Sequence, residues 1–222
     1  MEKDLTYAHN DTSTVEKHSP TAQFNLPKTG ADLEKIRAAA FAREIPVCDG
    51  ETLNFLGTLL YALKPKRILE LGTAIGAFSA YASQICPEAH ITTVERKADF
   101  YEEAGKNFAA LGLESRITRV LGDAGEVIQT LAGEFDFIFM DCAKVQYIKY
   151  LPTLKKLLKK GGVLVADDVL LFGYVSGEVE VPKKRKMLVE HVREYIAAAT
   201  ADGELHTTVL NVGDGVAISV KL

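Results

Sequence analysis

Asp141, Lys144, Asp167 and Asp168 are the residues of this 222-residue sequence whose types and spacing best suit them to chemistry. Carboxylates that meet from two chain segments can share one cation. A donor set made only of oxygen selects magnesium, with manganese and calcium open, over zinc. A lysine three residues from one of these acids would feel like-charge repulsion from such a cation. Repulsion lowers its pKa toward that of a general base. Each residue also has an ordinary use. Asp167 or Asp168 can cap the segment that follows, Asp141 can be a plain loop acid, and Lys144 a solvated lysine entering a helix.

A second constellation begins at Arg67-Ile68-Leu69-Glu70-Leu71-Gly72-Thr73-Ala74-Ile75-Gly76. It reads as a short apolar strand, a Gly-x-x-x-Gly turn and a helix start. Glycine lets backbone approach a ligand closely, and the helix N-terminus offers free N–H groups. The spacing is not the Gly-x-Gly-x-x-Gly of a dinucleotide site, so it suits a nucleoside ligand without phosphates, of which S-adenosylmethionine (SAM) is the commonest. Ile91-Thr92-Thr93-Val94-Glu95 then ends a second strand in an acid, about twenty residues beyond the glycines, placed to accept ribose hydroxyls. Asp123, in Gly122-Asp123-Ala124, is positioned to meet an adenine and equally to cap a helix. An unliganded tight turn and a solvated glutamate are the plain alternatives for the glycines and Glu95.

The elements that must carry these residues alternate along the chain. Helices are expected from Ala31 to near Arg43 and from Glu51 to Leu63, then near 77–86, 98–111, 124–132 and 146–160. Strands are expected at 67–71, 90–95, 116–121, 135–141 and 162–167. The last two are nearly all apolar, as strands buried on both faces are. A lysine-rich helix near 183–200 precedes two more strands, His206–Leu210 and Val216–Val220, joined by the hairpin signal Gly213-Asp214-Gly215. The expected fold is α/β and doubly wound: a mostly parallel, Rossmann-like seven-stranded sheet with an antiparallel C-terminal hairpin. In such a sheet ligands lie at the carboxyl ends of the strands, where Asp141, Asp167 and Asp168 fall. Residues 1–28, polar and broken by Pro20 and Pro27, read as a flexible arm before one domain over 29–222.

A net charge of -4 and a pI near 5.8 argue against a globally basic nucleic-acid binder but leave room for a local basic face, such as Lys183-Lys184-Arg185-Lys186. No signal-peptide pattern or 18-residue apolar run is present, so the cytoplasm is expected and a membrane is not. Cys48, Cys86 and Cys142 form no zinc or redox pair, and Cys142 reads as a packed thiol.

With these residues in view, the chain resembles the metal-dependent catechol and caffeoyl-CoA type O-methyltransferases. The resemblance runs from about Leu33 to the C-terminus. It is carried by Ile68–Gly76, Thr93–Arg96, Gly122–Ala124, Met140–Lys144, Val165–Leu170 and Val212-Gly213-Asp214-Gly215. One branch is more similar still: the bacterial tRNA 5-hydroxyuridine methyltransferases, through Lys64–Glu70, the glycine turn and Lys183–Val189. The resemblance implies that Asp141, Asp167 and Asp168 hold the cation, and that Lys144 is the base beside Asp141. It also implies that SAM contacts Val47, Glu70, Gly72, Gly76, Glu95, Asp123, Ala124 and Asp141, with Phe78 serving only through its backbone. A homodimer is the expected assembly. The chain departs from the family at three places: Asp167-Asp168 stands for Asp-Asn, Gly76-Ala77-Phe78-Ser79 for Gly-Tyr-Ser, and Phe172 for the lysine of the closer branch.

Three functions are therefore open. A methyltransferase can act on 5-hydroxyuridine in tRNA or on a small catechol-like phenol, since both offer the vicinal oxygens that one cation can bind. A SAM-binding module without catalysis is the third.

Overall fold

The computed structural model describes residues 22–222. Seven strands form one sheet in the order β3-β2-β1-β4-β5-β7-β6. They are β1 (Arg67–Leu71), β2 (His90–Glu95), β3 (Ile117–Leu121), β4 (Phe135–Met140), β5 (Leu158–Ala166), β6 (Leu205–Leu210) and β7 (Val216–Lys221). The first five run parallel; β7 is antiparallel to both β5 and β6. Seven α-helices occur among the described residues: α1 (Ala31–Ala42), α2 (Gly50–Leu63), α3 (Ala77–Ile85), α4 (Ala98–Ala110), α5 (Ala124–Thr130), α6 (Tyr147–Leu157) and α7 (Lys186–Ala201). The expected doubly wound sheet with its closing hairpin is what forms.

The period-2 alternation of the central strands distributes the core over two layers. Ile68, Phe137, Phe139, Val163 and Val165 face α2, α3 and α4. Leu69, Leu71, Ile138, Met140 and Leu164 face α6 and α7. Burial on both faces explains the apolar runs 137–140 of β4 and 163–166 of β5. It also sends Glu70, on the same face as Ile68, into the interior.

The largest departure from expectation is at β5. The helix expected to run to residue 160 stops at Leu157, and the strand begins at Leu158. Leu158 is fully buried and pairs with Phe135, whereas the next paired residue, Val163, meets Phe137. The intervening Lys159-Lys160-Gly161-Gly162 bulges outward, with Gly161 at φ +77, which a helix cannot follow. The lysine-rich helix begins as a 3-10 turn, Lys183–Arg185, before α7.

The arm expected over 1–28 lies, for residues 1–21, outside the described residues. Within the remainder, the Asn25 side-chain amide donates to Glu51 Oε1 of α2 at 2.9 Å. No helix among the described residues is long and apolar enough to cross a membrane.

Candidate active site

The turn after β1 stays tied to β2: the N–H groups of Gly72 and Thr73 donate to the Val94 carbonyl at 3.0 and 3.2 Å. Gly72 (φ +102) and Gly76 (φ +91) are both in backbone regions that disfavour side chains. Their need for glycine has a nearer cause than a ligand. A Cβ on Gly72 would lie 2.0 Å from the Asp141 carbonyl oxygen, and one on Gly76 2.6 Å from Phe108 Cε1 on α4. The turn is therefore pressed against the tip of β4, which brings the glycine motif and Asp141 into one place.

Glu95 walls the turn. Its Oε2 accepts the Ala74 N–H and its Oε1 the Lys97 N–H, each at 2.9 Å. Glu70 lies deeper, 1% exposed, and its Oε2 accepts the hydroxyls of Ser79 and Thr93. Burial raises its pKa to about 8, against the lowering effect of those two hydroxyls. Ser79 is thus committed to Glu70, joining α3 to β1 beneath the turn. The Phe78 ring packs on Phe139 with centroids 4.4 Å apart, so its side chain is committed to the core. Half-buried Val47 packs with Ile36, Ile45 and Ile75. Asp123 caps α5, accepting the Gly125 N–H at 2.8 Å. Together with Gly125, Gln129, Gln146, Lys149 and Tyr150 it lines a shallow depression beside Ala124.

The acids hang from the last rungs of the parallel ladder. The Asp141 N–H donates to the Leu71 carbonyl at 2.9 Å, and the Asp167 N–H to the Met140 carbonyl at 3.0 Å. Between them the Lys144 ammonium lies 2.8 Å from Asp141 Oδ1 and 2.8 Å from Asp168 Oδ2. Asp167 faces inward, 2% exposed, and its Oδ1 accepts the Asp168 N–H at 2.8 Å. Burial, then the charges of Asp168 and Asp141, hold the Asp167 carboxyl well above the usual carboxylate range.

For Lys144, burial works to lower the pKa, but Asp141 and Asp168 outweigh it and hold the ammonium well above its ordinary value. The lowered pKa read from the sequence requires a cation's repulsion. Against carboxylates alone the balance has the opposite sign. The donor set fits a hard divalent cation in kind, since all three groups are carboxylates and Asp141 and Asp168 already clasp one positive charge. The spacing is not closed: among the described residues no three His, Cys, Asp or Glu side chains are gathered as ligands of one ion. The neighbouring Cys142 thiol packs half-buried against the core and is pushed up to about 12 by burial, which disfavours its thiolate form.

Two residues that sequence reasoning did not single out complete the site. Asp214 sits in the β6–β7 turn, whose composition signals only a hairpin. Because β7 lies beside β5, the turn meets the loop after β5. The Phe172 N–H donates to Asp214 Oδ1, and Leu170 N–H to the Asp214 carbonyl at 2.9 Å. Burial, then the charge of Asp168, raises Asp214 to about 7, and its Oδ2 is buried without a hydrogen-bond partner among the described residues. Tyr147, the first residue of α6, reaches behind the acids with a hydroxyl 2.9 Å from the Met140 carbonyl. The basic run also has a definite place. The Arg185 guanidinium lies over the rings of Phe172 and Tyr174, 6.0 and 5.8 Å from their centroids, so it borders the loop that carries Asp168.

Residues 23–222 match the family model described as O-methyltransferase. The chain is 29% identical over 186 residues to the caffeoyl-CoA O-methyltransferase of Populus kitakamiensis, covering 80% of this chain and 78% of that one. To the catechol O-methyltransferase of Mycobacterium tuberculosis it is 31% identical over 165 residues, covering 69% and 74%. A crystal structure from Staphylococcus aureus, provisionally named a caffeoyl-CoA O-methyltransferase, superposes with a TM-score of 0.80 at 34% identity, covering 87% of this chain and 93% of that one. With the glycine turn, the Glu95 wall and the Asp141–Lys144–Asp168 clasp at the ends of one such sheet, the chain belongs to the O-methyltransferase family, a family of SAM-dependent enzymes.

Proposed function

We propose that this chain moves the methyl group of SAM onto the 5-hydroxyl of 5-hydroxyuridine in tRNA, giving 5-methoxyuridine, at a site that also takes a divalent cation. The observation that carries the RNA part is the position of the basic run: Arg185 rests on Phe172, four residues beyond Asp168. A single unstacked base in a loop needs one pocket and a few phosphate contacts, which an otherwise acidic protein can supply. The reading includes a homodimer acting in the cytoplasm.

In this reading Glu95 accepts the ribose hydroxyls, Asp123 meets the adenine, and the backbone from Gly72 to Phe78 holds the methionine end beside Asp141. Asp141, Asp167 and Asp168 would hold magnesium, or manganese or calcium. A bound cation supplies Lewis acidity that lowers the pKa of a vicinal hydroxyl and fixes its aim. Lys144, parted from Asp141 and Asp168, loses the carboxylates that hold its pKa up and can then take the hydroxyl proton. The acceptor oxygen displaces the sulfonium in line: an O–C bond forms as the C–S bond breaks, leaving S-adenosylhomocysteine and a protonated Lys144.

Glu95→Ala should weaken SAM binding by about 2–4 kcal/mol, since two hydroxyl bonds to a charged acceptor are lost and the Ala74 and Lys97 amides are freed. Calorimetry with SAM and its demethylated product checks this. Affinities equal to the parent's would remove Glu95 from the cofactor site.

Replacing Lys183, Lys184, Arg185 and Lys186 by alanine should lower tRNA methylation and flatten its salt dependence, because fewer counterions are released. Turnover of a small catechol, which makes no phosphate contacts, should fall far less and keep its salt dependence. A variant that methylates tRNA as well as the parent would reduce the run to a solvated helix face. A catechol-like acceptor is the second reading, favoured by the exposed Phe172 ring, 43% accessible, where a planar phenol could rest. It wins if the parent methylates catechols but never tRNA lacking the modification.

A further inference from the structure

We propose that Tyr147 is a positioning residue for the acids: its buried hydroxyl ties the ends of β4 and β5 together and so sets the spacing of Asp141, Asp167 and Asp168. The proposal rests on the cation reading above for its consequence, though not for its geometry. Met140 is the last residue of β4 and precedes Asp141; Asp167 follows the last residue of β5. Beyond these residues the parallel ladder has no further rung, and a carbonyl leaving a sheet needs another partner. The single phenolic proton of Tyr147 is shared between the Met140 carbonyl at 2.9 Å and the Asp167 carbonyl at 3.4 Å. The Asp167 N–H already donates to that same Met140 carbonyl at 3.0 Å, so the hydroxyl reinforces the terminal rung from behind. Tyr147 also closes the turn that carries Lys144, donating its N–H to the Lys144 carbonyl. One anchored side chain thereby registers the lysine against both acid-bearing tips.

A built-in control lies against it. Tyr195 of α7 packs edge-on to Tyr147, with ring centroids 5.5 Å apart and planes at 70°. Both are fully buried, yet the Tyr195 hydroxyl has no partner among the described residues. The two tyrosines share one environment and differ in whether the hydroxyl is bonded. Removing an unpaired buried hydroxyl costs little or stabilises, whereas removing Tyr147's takes one of two donors from the Met140 carbonyl and a donor from the Asp167 carbonyl.

The experiment compares full-length Tyr147→Phe and Tyr195→Phe by Mn2+ binding, followed by paramagnetic resonance, and by amide hydrogen exchange at Asp141, Asp167 and Asp168. Groups behind metal ligands commonly change affinity by tenfold or more. Tyr147→Phe should therefore bind Mn2+ about tenfold more weakly and exchange the Asp167 amide faster, with the fold retained. Tyr195→Phe should bind Mn2+ like the parent and unfold no earlier. Parent-like Mn2+ binding and exchange in Tyr147→Phe would overturn the proposal. So would an equal loss in Tyr195→Phe, which would point to ring packing instead of the hydroxyl bond. If the parent itself binds no Mn2+, the cation reading fails, and the exchange comparison alone decides whether Tyr147 ties the tips.

Discussion

Asp141→Ala will abolish methyl transfer, by about 10³-fold or more, equivalent to about 4 kcal/mol of transition-state stabilisation, while the fold survives. The carboxylate is one half of the clasp on Lys144, and its side chain is only partly buried, 18% exposed. Its loss therefore empties no core cavity. The backbone link from the Asp141 N–H to Leu71 is kept, so β4 still ends where it did. What disappears is the charge at the junction of the glycine turn, β4 and β5. Lys144 is left with Asp168 as its close partner, and the proposed cation loses one of three donors. Single-turnover assays with labelled SAM, alongside thermal unfolding, separate the two effects. Activity within a few-fold of the parent in a folded variant would place the chemistry elsewhere.

Gly72→Ala is expected to be the most damaging single-methyl change. The new Cβ would be 2.0 Å from the Asp141 carbonyl oxygen, at a backbone φ of +102. Strain at such a position and overpacking against backbone together cost about 3 kcal/mol or more. In a chain of this size that is an unfolding midpoint lower by about 10 °C. The neighbour cannot rotate away, because it is main chain held in the ladder by Leu71. Relief can come only by moving β1 from β4, which also displaces Asp141. Denaturant titration and SAM calorimetry on the same samples test this. A variant as stable as the parent would mean that the turn is not pressed against β4.

The sheet was readable because its central strands alternate between two buried faces, which forces an apolar pattern that no surface strand shows. Glu70, Gly72, Glu95 and Asp141 fell at strand ends for the same reason. The physical causes were less legible. The glycine spacing suggests room for a ligand, and the structure gives it a closer duty, packing against the Asp141 carbonyl and the Phe108 ring. The charge state of Lys144 depends on two carboxylates from different strands, one of them, Asp168, 24 residues further along. Local spacing carries no sign for that sum. Asp214 reaches the site only because β7 lies antiparallel to β5, and Tyr147 only because α6 starts beneath two strand tips. Both are consequences of topology and leave no periodicity or motif of their own. The early start of β5 was hidden by its lysines, which lie on a bulge that looks like helix surface.

In the function proposed above, one site at the strand tips delivers the SAM methyl group to an oxygen beside Asp141 with the help of a divalent cation. The most direct test follows labelled methyl from SAM into tRNA carrying 5-hydroxyuridine and into a catechol, with excess chelator and then with added magnesium or manganese. Transfer to at least one acceptor, lost with chelator and restored by either metal, is the predicted result. Full transfer in excess chelator would contradict it.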